Sequence, residues 1–473
     1  MGGHTHTPPG DAAPSAPMVP VSAWLLVVAA LLGVGGAALL AWRGQAEPAA
    51  LLGGYVRIDA TARLFMLLVN TIFLGIAVYA WSRVHAVPQL RVGIGRFVVL
   101  VILFMAASNA AIASNHFLVG WCFLEVTTLC GAPLIVRRSL RSTLPASWRY
   151  FLFSSVGLAL VLAGFACIVR GFESAGVPAT LFIDQVTASA GAGPWQRLGV
   201  ALILLGYGTK LGLAPMHTWL PETYDEAPPA VTALLGAVQF NCALVGLLRV
   251  LHVFRDANAE LVTTQLMSVG LLSMAVSAVG IIVTHNYKRL LAYASINHAG
   301  VIAIGLGVGA EAAYGLVLYA ISNAFIKAIL FLTAGKIKAR FRTKDMREVS
   351  GLIQSMPESG LFLMIGTFAL LGLPPFGSFL GELLILSELI RADFPLVFTG
   401  FCVLLTITFV ATGRSLFPMI WGSPTASEPA PRPRLLITLP KVLFLVALVS
   451  MGLYLPPPLT ALFRRVAAYV GGV

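Results

Sequence analysis

Residues 206–221 read GYGTKLGLAPMHTWLP, and this stretch decides which fold the chain can adopt. It lies in the apolar span 199–219 and carries Lys210 just before glycine and proline interrupt the helical pattern. Proline removes a backbone donor, and its ring clashes with the preceding turn. Non-helical backbone at membrane depth is tolerated only where it is buried in protein or lines a wet cavity. The stretch therefore predicts a broken helix, which in transporters often marks the ion path.

The composition is that of a membrane protein. Of the 473 residues, 58% are hydrophobic and 11% are charged, and the mean hydropathy is +0.88. A soluble protein carries roughly 25% charged residues, so an ordinary soluble enzyme, a disordered chain and a disulfide-stapled secreted domain are excluded. The apolar runs are unbroken, whereas membrane β-strands alternate apolar and polar residues. We therefore predict an all-α polytopic membrane protein.

About 20 apolar residues are needed for a helix to cross a hydrocarbon core of about 30 Å. By this measure we predict about thirteen transmembrane helices. The span 359–390 is interrupted at 372–377 by GLPPFG and predicts a second broken helix. Residues 1–21 have no basic segment typical of a signal peptide and are predicted to be a disordered tail. The predicted spans are 22–42, 62–82, 95–112, 116–136, 150–169, 199–219, 230–253, 263–284, 290–308, 313–335, 359–390, 394–413 and 437–456.

Basic residues outnumber acidic residues, 31 to 19, which gives a formal net charge of +12. The charges lie between apolar runs, where cytoplasmic loops retain Lys and Arg, and no basic groove with aromatic residues points to nucleic acid. We expect a multi-pass protein of the bacterial cytoplasmic membrane with a cytoplasmic N-terminus and no nucleic-acid partner. The loops predicted to be cytoplasmic are 82–96, 137–149, 285–289, 336–350 and 414–441.

Cysteine usage argues against metal chemistry in this chain. The five cysteines lie inside apolar stretches, without the clustered spacing that zinc or iron–sulfur sites need. We expect no metal site and no cofactor in this chain.

Four ionisable residues fall inside predicted spans: Glu125, Lys210, Lys327 and Glu382. An ionisable residue at mid-bilayer costs about 2.5–3.5 kcal/mol even on insertion scales, so each one needs a reason. If the helices of Glu125 and Lys210 pack together, the two charges can pair, and separating them would change the proton affinity of both. A static buried ion pair is the alternative interpretation.

The second half of the chain holds a further candidate relay. Lys327 lies one turn after Asn323, which can hydrogen-bond on the same helix face, and Glu382 follows the second break. A buried lysine between carboxylates of neighbouring helices is a candidate proton-hopping station, because buried lysines change their proton affinity readily. His217 and His298 can also carry protons near neutral pH, although either can equally be a structural residue. The predicted proton-translocation residues are Glu125, Lys210, His217, His298, Lys327 and Glu382.

Three motifs resemble a known family. They are the first motif at 206–221, running on to EAP at 226–228, then KRLLAYASI at 288–296 and KAILFLTAG at 327–335. Together they resemble the antiporter-like subunits of respiratory complex I, of Mrp antiporters and of energy-converting membrane-bound hydrogenases. The first motif and the acidic Glu382 look closest to the hydrogenase-4 (formate hydrogenlyase-type) component F branch.

The resemblance implies two inverted five-helix repeats, each with a broken helix, and a proton path along them. It implies a glutamate–lysine pair, which here is Glu125 and Lys210. It also implies a central lysine, here Lys327, and a terminal charge, here Glu382. We further predict Asn323 and Lys288 as supporting polar residues. The implied boundaries are 22–112 for the N-terminal helices, 113–253 for the first repeat with its break near 210–220, 254–420 for the second repeat with its break near 372–378, and 421–473 for the C-terminal loop and last helix.

The sequence departs from the family at four positions. Asn323 stands where a histidine is common, and asparagine cannot relay a proton by titrating. Tyr224 stands in place of a loop histidine, Asn286 in place of an aspartate, and Gly236 in place of a histidine of some complex I subunits. These departures keep open a structural membrane anchor whose ion path has decayed.

Two functional hypotheses stand beside that of the anchor. The preferred one is a proton-translocating subunit of a multi-subunit redox-driven ion pump in the lipid bilayer. Its partners would be other membrane subunits and a cytoplasmic catalytic module, hydrogenase-like or otherwise redox-active. The alternative is the ion-gradient-coupled membrane subunit of an inorganic-carbon uptake complex with a large zinc-binding cytoplasmic partner.

Overall fold

The chain is an all-α, multi-pass membrane protein. A computed structural model describes residues 21–42, 49–87, 93–137, 141–186, 193–425 and 435–471. Within these residues, eleven helices are long and apolar enough to cross a membrane, as the composition predicts. Of the tail that we predicted to be disordered, residues 1–20 lie outside the described ranges, and Val21 begins the first helix.

The described elements are helical except for one short hairpin. The first half contains α1 (Val21–Trp42), β1 (Ala49–Leu51), β2 (Val56–Ile58), α2 (Ala60–Ala86), α3 (Ile94–Ala113), α4 (Phe117–Ile135), α5 (Thr143–Ser174), α6 (Pro194–Leu211), α7 (Trp219–Glu226), α8 (Pro229–Ala233) and α9 (Phe240–Phe254). The second half contains α10 (Ala259–Val283), α11 (Tyr287–Val308), α12 (Ala313–Phe341), α13 (Leu352–Ser355), α14 (Pro357–Leu370), α15 (Gly377–Arg391), α16 (Pro395–Trp421), α17 (Leu435–Leu453) and α18 (Pro457–Gly471). β1 and β2 pair antiparallel. A π-helical turn, Leu234–Gln239, joins α8 to α9, so that Pro229–Phe254 forms one span.

Both predicted broken helices are present. α6 ends at Leu211, Gly212 follows with φ +78°, and the helix resumes at Trp219. α14 ends two residues before Gly372, which has φ +64°, and α15 begins at Gly377. A positive φ is the left-handed region that glycine adopts without the steric cost of a Cβ atom. These two glycines therefore end the first half of each broken helix.

The predicted spans match the helices well. Eleven of the thirteen overlap the long apolar helices, and the other two are the broken helices α6–α7 and α14–α15. The sequence analysis missed α18, because this helix is short and amphipathic, with Arg464 and Arg465 exposed, and lacks an unbroken apolar run. The number of membrane crossings, the inverted repeats and the domain boundaries stay predictions.

Two of the predicted cytoplasmic loops are shorter than expected. α12 continues to Phe341 and α16 to Trp421, while Lys441 lies fully buried inside α17. The helices accommodate these charges because Glu358 on α14 accepts hydrogen bonds from Lys336 on α12 and from Lys441, joining three helices. A buried ammonium paired in this way avoids most of the cost of leaving water.

α12 and the α8–α9 span form the centre of the bundle. Every residue in the apolar window of α12 is buried, whereas less than a third of the window is buried in α1, α16 and α17. Exposed apolar side chains on these outer helices, such as Leu31, Val410 and Val446, suit a surface that contacts lipid. Lys327, one of the predicted intramembrane charges, therefore lies on the most buried helix.

Glycines bring α5 and α6 into backbone contact. A Cβ atom built on Gly164 of α5 would lie 2.7 Å from the carbonyl oxygen of Gly199 on α6. One built on Gly157 would lie 3.0 Å from the carbonyl oxygen of Gly206. Small residues let helix backbones approach closely in a membrane. This contact fixes the body of α6, up to the turn before Lys210, against α5.

We expect Gly164→Val to destabilise the protein by about 1–3 kcal/mol, because its side chain would force α5 and α6 apart. Thermal unfolding of the purified chain in detergent measures this as a lower midpoint. Gly35→Val on α1 is the matched control, since a Cβ atom there meets nothing within 4 Å. Equal midpoints for both variants would contradict the role of the glycine contact.

Candidate functional site

Lys210 lies in the last turn of α6, at the first break, and is buried. Its Nζ donates a hydrogen bond of 2.6 Å to Thr128 Oγ1 on α4 and lies 5.4 Å from the centre of the Tyr150 ring. Among the residues that the structure describes, this bond is the only one made by the ammonium. Lys210 is thus held by a hydroxyl group and an aromatic face.

The expected direct ion pair between Glu125 and Lys210 is not formed in the structure. Thr128 lies three residues after Glu125 on α4, and residues at this spacing share a helix face. It is the threonine hydroxyl that meets Lys210, while Glu125 Oε1 accepts a hydrogen bond of 2.7 Å from Ser155 on α5. Glu125 Oε2 is buried and has no partner among the described residues. The carboxylate therefore has one oxygen free to take a proton or a cationic partner.

Gln239 connects this region to the centre of the bundle. Its side chain lies 2.7 Å from Tyr150 Oη and 3.0 Å from Thr127 Oγ1. Sequence reasoning missed Gln239, Tyr150 and Thr127, although a glutamine inside the apolar span 230–253 was a visible signal. Gln239 ends the π-helical turn, and π-turns often occur at functional sites.

Lys327 lies in the middle of α12 and is also buried. Its Nζ lies 4.0 Å from the centre of the Phe240 ring. Within the described parts of the chain, the Lys327 ammonium has no hydrogen-bond acceptor and no carboxylate partner. Asn323, one turn earlier, is buried with both polar side-chain atoms unpartnered. The side chains of Lys327 and Asn323 are therefore buried polar groups without hydrogen-bond partners among the described residues.

His298 and Glu382 lie beyond Lys327. His298 Nδ1 is hydrogen-bonded to the Tyr319 hydroxyl, which joins α11 to α12. Gly381, the residue before Glu382 on α15, packs against the backbone of Tyr319. Glu382 is buried with Oε1 unpartnered, and its carboxylate lies against Gly372 in the second break. Tyr319, which the sequence analysis missed, therefore joins His298 to the helix of Lys327 at the place where that helix packs on α15, and a relay through these residues stays a prediction.

His217 is not part of this connected set. It lies in the break between α6 and α7, half-buried, with Nδ1 unpartnered. Its side chain makes no hydrogen bond to another candidate residue in the described chain. His217 stays a prediction as a proton carrier.

Lys288 binds backbone instead of joining the relay. Its buried Nζ donates to the carbonyl oxygens of Asp225, at 2.6 Å, and Ala227, at 3.1 Å, at the end of α7. A cation near a helix C-terminus satisfies free carbonyl groups and the helix dipole. The Asp225 carboxylate in turn accepts a hydrogen bond from Arg289 at 3.2 Å and forms an ion pair with Lys344 at 2.7 Å. These contacts anchor the second half of the first broken helix to α11 and to the loop after α12.

Backbone hydrogen bonds hold the loop after α12 against the start of α11. Met346 donates its backbone N–H to the carbonyl oxygen of His285 at 2.8 Å, and Tyr287 donates to that of Lys344 at 3.1 Å. Hydrogen bonds from Arg347 lower the pKa of Asp345 to about 2. The loop therefore holds Lys344 in place for Asp225.

Comparison with known protein families shows which family this chain belongs to. The family described as "NADH:quinone oxidoreductase/Mrp antiporter, TM" matches residues 114–408. The chain belongs to this family. The matched region contains Glu125, Lys210, Lys327 and Glu382.

Relatives cover almost the whole chain. The hydrogenase-4 component F homolog of Methylacidiphilum infernorum is 28% identical over 458 residues, which are 94% of each chain. A chain of the membrane-bound sulfane sulfur reductase, an archaeal respiratory membrane complex, has the same fold, with a TM-score of 0.84 at 22% identity over 96% of this chain and 95% of that one. A chain of respiratory complex I from Thermus thermophilus gives a TM-score of 0.71 at 25% identity over 93% and 99%. The resemblance predicted from the three motifs is confirmed: the chain is an antiporter-like membrane subunit, and its homologues belong to multi-subunit membrane complexes.

We expect Thr128→Val to destabilise the protein by roughly 1–3 kcal/mol, because it leaves the buried Lys210 ammonium without its hydrogen-bond acceptor. The midpoint of thermal unfolding in detergent should fall, and Thr128→Ser should restore most of it. Thr71→Val is a matched control, since its hydroxyl bonds only the carbonyl oxygen of Leu67. A Thr128→Val protein no less stable than the Thr71→Val protein would contradict the assigned contact.

We expect Lys288→Met to loosen α7, because two buried carbonyl oxygens would lose their donor. Hydrogen–deuterium exchange of the peptide covering 219–227 should then be faster by roughly tenfold or more. Arg289→Met removes a half-exposed partner of Asp225 and should change this exchange much less. Unchanged exchange in Lys288→Met would show that the lysine does not hold the helix end.

Proposed function

We propose that this chain carries protons across the membrane as a subunit of a multi-subunit complex whose driving reaction occurs in another subunit. The observation that carries the proposal is Lys327, a buried ammonium in the centre of the bundle without a hydrogen-bond acceptor among the described residues. Such a charge is costly inside a membrane protein. A lysine with so few partners can lose and regain its proton more readily than one held by several acceptors.

The order of the polar groups supports a path along the membrane plane. Glu125, bonded to Ser155, and Lys210, bonded to Thr128, lie at one end, and Gln239 with Tyr150 leads toward the centre. Lys327 follows, and the His298–Tyr319 pair leads on toward Glu382 at the second break.

A mechanism follows from the position of Lys210. In the structure its ammonium is bonded to Thr128, one turn from Glu125. A small shift of α6 at its break would bring the ammonium to the free Glu125 oxygen and stabilise both charges. Opening the pair would lower the proton affinity of Lys210 and release its proton toward the centre. The partner subunits would drive this shift, since this chain is expected to hold no cofactor.

The proposal extends to partners and location. The relatives are named for hydrogenase-4 and for respiratory complexes, which favours other membrane subunits and a redox-active cytoplasmic module. None of these names concerns inorganic carbon or a zinc protein, so the carbon-uptake alternative gains no support. We place the chain in the bacterial cytoplasmic membrane with its N-terminus in the cytoplasm.

The anchor hypothesis predicts a dry, apolar gap between Lys210 and Lys327. Polar side chains are instead present near Lys210, where Tyr150 lies beside its ammonium and is hydrogen-bonded to Gln239, the residue before the Phe240 that contacts Lys327. An anchor would also gain nothing from the cost of the buried charges. These features favour translocation.

We expect Lys210→Ala and Glu125→Ala to reduce proton translocation per turnover at least roughly tenfold, while the complex still assembles. The complex is purified through a tag on this chain in mild detergent, its subunits are identified by mass spectrometry, and it is reconstituted in vesicles with a pH-sensitive dye. Arg170→Ala is the control, because this residue makes an exposed surface pair with Glu173. Normal pumping in both test variants would refute the roles of Glu125 and Lys210. Recovery of a zinc protein without redox subunits would refute the proposed partners.

A further inference from the structure

Two neighbouring residues of one span contact the surroundings of the two buried lysines Lys210 and Lys327. Gln239, the last residue of the π-helical turn, belongs to the Tyr150–Thr127 network beside Lys210. Phe240, the next residue, holds its ring 4.0 Å from the Lys327 ammonium. The polar network of the first half therefore ends at the residue next to the ring that covers Lys327.

The ring is the main partner of the Lys327 charge. An ammonium over an aromatic face is attracted by the ring quadrupole, most strongly where water is excluded. Lys327 and Phe240 are both buried, and the described residues give this ammonium no other acceptor. A neutral amine lacks the positive charge on which this attraction depends. The hold of the ring on Lys327 therefore depends on the proton that Lys327 carries.

We propose that Phe240 is a gate between Gln239 and Lys327 that closes when Lys327 is protonated and opens when it is neutral. The inference rests on the proposed function. Phe240 is a positioning residue in this scheme, because it transfers no proton itself.

The open gate would admit water. Both side-chain polar atoms of Asn323 are buried and unpartnered one turn from Lys327, and a buried water needs such partners. A proton would then leave the Lys210 ammonium, breaking an N–H bond there. It would pass through water beside Gln239 and form an N–H bond on the Lys327 amine.

The closed gate would give the path a direction. Once Lys327 is charged, the ring returns and separates it from Gln239. The proton would then leave on the other side, toward His298 on α11, which is hydrogen-bonded to Tyr319 of the Lys327 helix. Tyr319 in turn packs against Gly381, the residue before Glu382. A single aromatic ring would thus oppose back-flow without a large movement of the helices.

The test uses the intact complex in vesicles with an imposed proton gradient. When the driving reaction is off, Phe240→Leu should raise the passive proton leak by about tenfold, which corresponds to about 1.4 kcal/mol. When the driving reaction runs, the same variant should move fewer protons per turnover. Combining it with Lys327→Met should return the leak to the wild-type level, because the leak would pass through Lys327. Phe254→Leu is the matched control, since Phe254 is a fully buried phenylalanine of the same helix that packs on Phe117.

Fluorinated phenylalanines at position 240 separate ring electrostatics from packing. Successive fluorine atoms weaken the negative ring face with little change in shape, so the leak should rise with fluorine number, and this holds even if Phe240→Leu fails to assemble. Absence of this trend, or a leak that survives Lys327→Met, would overturn the gate. A wild-type complex that moves no protons would overturn the proposed function, whereas normal pumping and leak in Phe240→Leu would overturn the gate alone.

Discussion

A lysine ammonium inside a membrane protein must find a partner within the protein, and the structure depends on how four buried lysines meet this requirement. Lys288 binds two backbone carbonyl groups, and Lys441 binds a glutamate. Lys210 donates one hydrogen bond to the Thr128 hydroxyl group, and Lys327 contacts the aromatic ring of Phe240. The first two are held by strong acceptors and stabilise helix ends and helix contacts. The latter two are held weakly, and that is the property a residue needs if it is to exchange a proton.

The broken helices place these weakly held groups. At the first break, the end of α6 presents Lys210 to α4, while Lys288 fixes α7 beyond the break. At the second break, the backbone around Gly372 leaves room for the Glu382 carboxylate. Lys288 clamps the second half of the first broken helix, and glycine contacts hold the body of α6 on α5, whereas the Lys210 side chain at the break has a single hydrogen bond.

The structure shows what surrounds two of the residues that depart from the family pattern, Asn323 and Tyr224. Asn323 cannot titrate, but His298 on the neighbouring helix is hydrogen-bonded to Tyr319, which lies on the same helix as Lys327. Tyr224 packs edge-on against Phe331 of α12, at 5.2 Å between ring centres. A titratable side chain is therefore bonded to the helix of the central lysine, although it belongs to another helix than the usual histidine.

The membrane fold, both helix breaks, the family and the four ionisable residues within apolar helices could be predicted from the sequence. These follow from local properties: apolar length, glycine and proline positions, and the cost of charge in hydrocarbon. That Lys210 meets Thr128 instead of Glu125, that Lys288 caps α7, that Gln239 binds Thr127, that Phe240 contacts Lys327 and that Tyr319 binds His298 became visible only once the helices were packed. Such pairings join residues far apart in the chain. They depend on helix rotation and packing, about which the apolar pattern of fully buried helices carries little information.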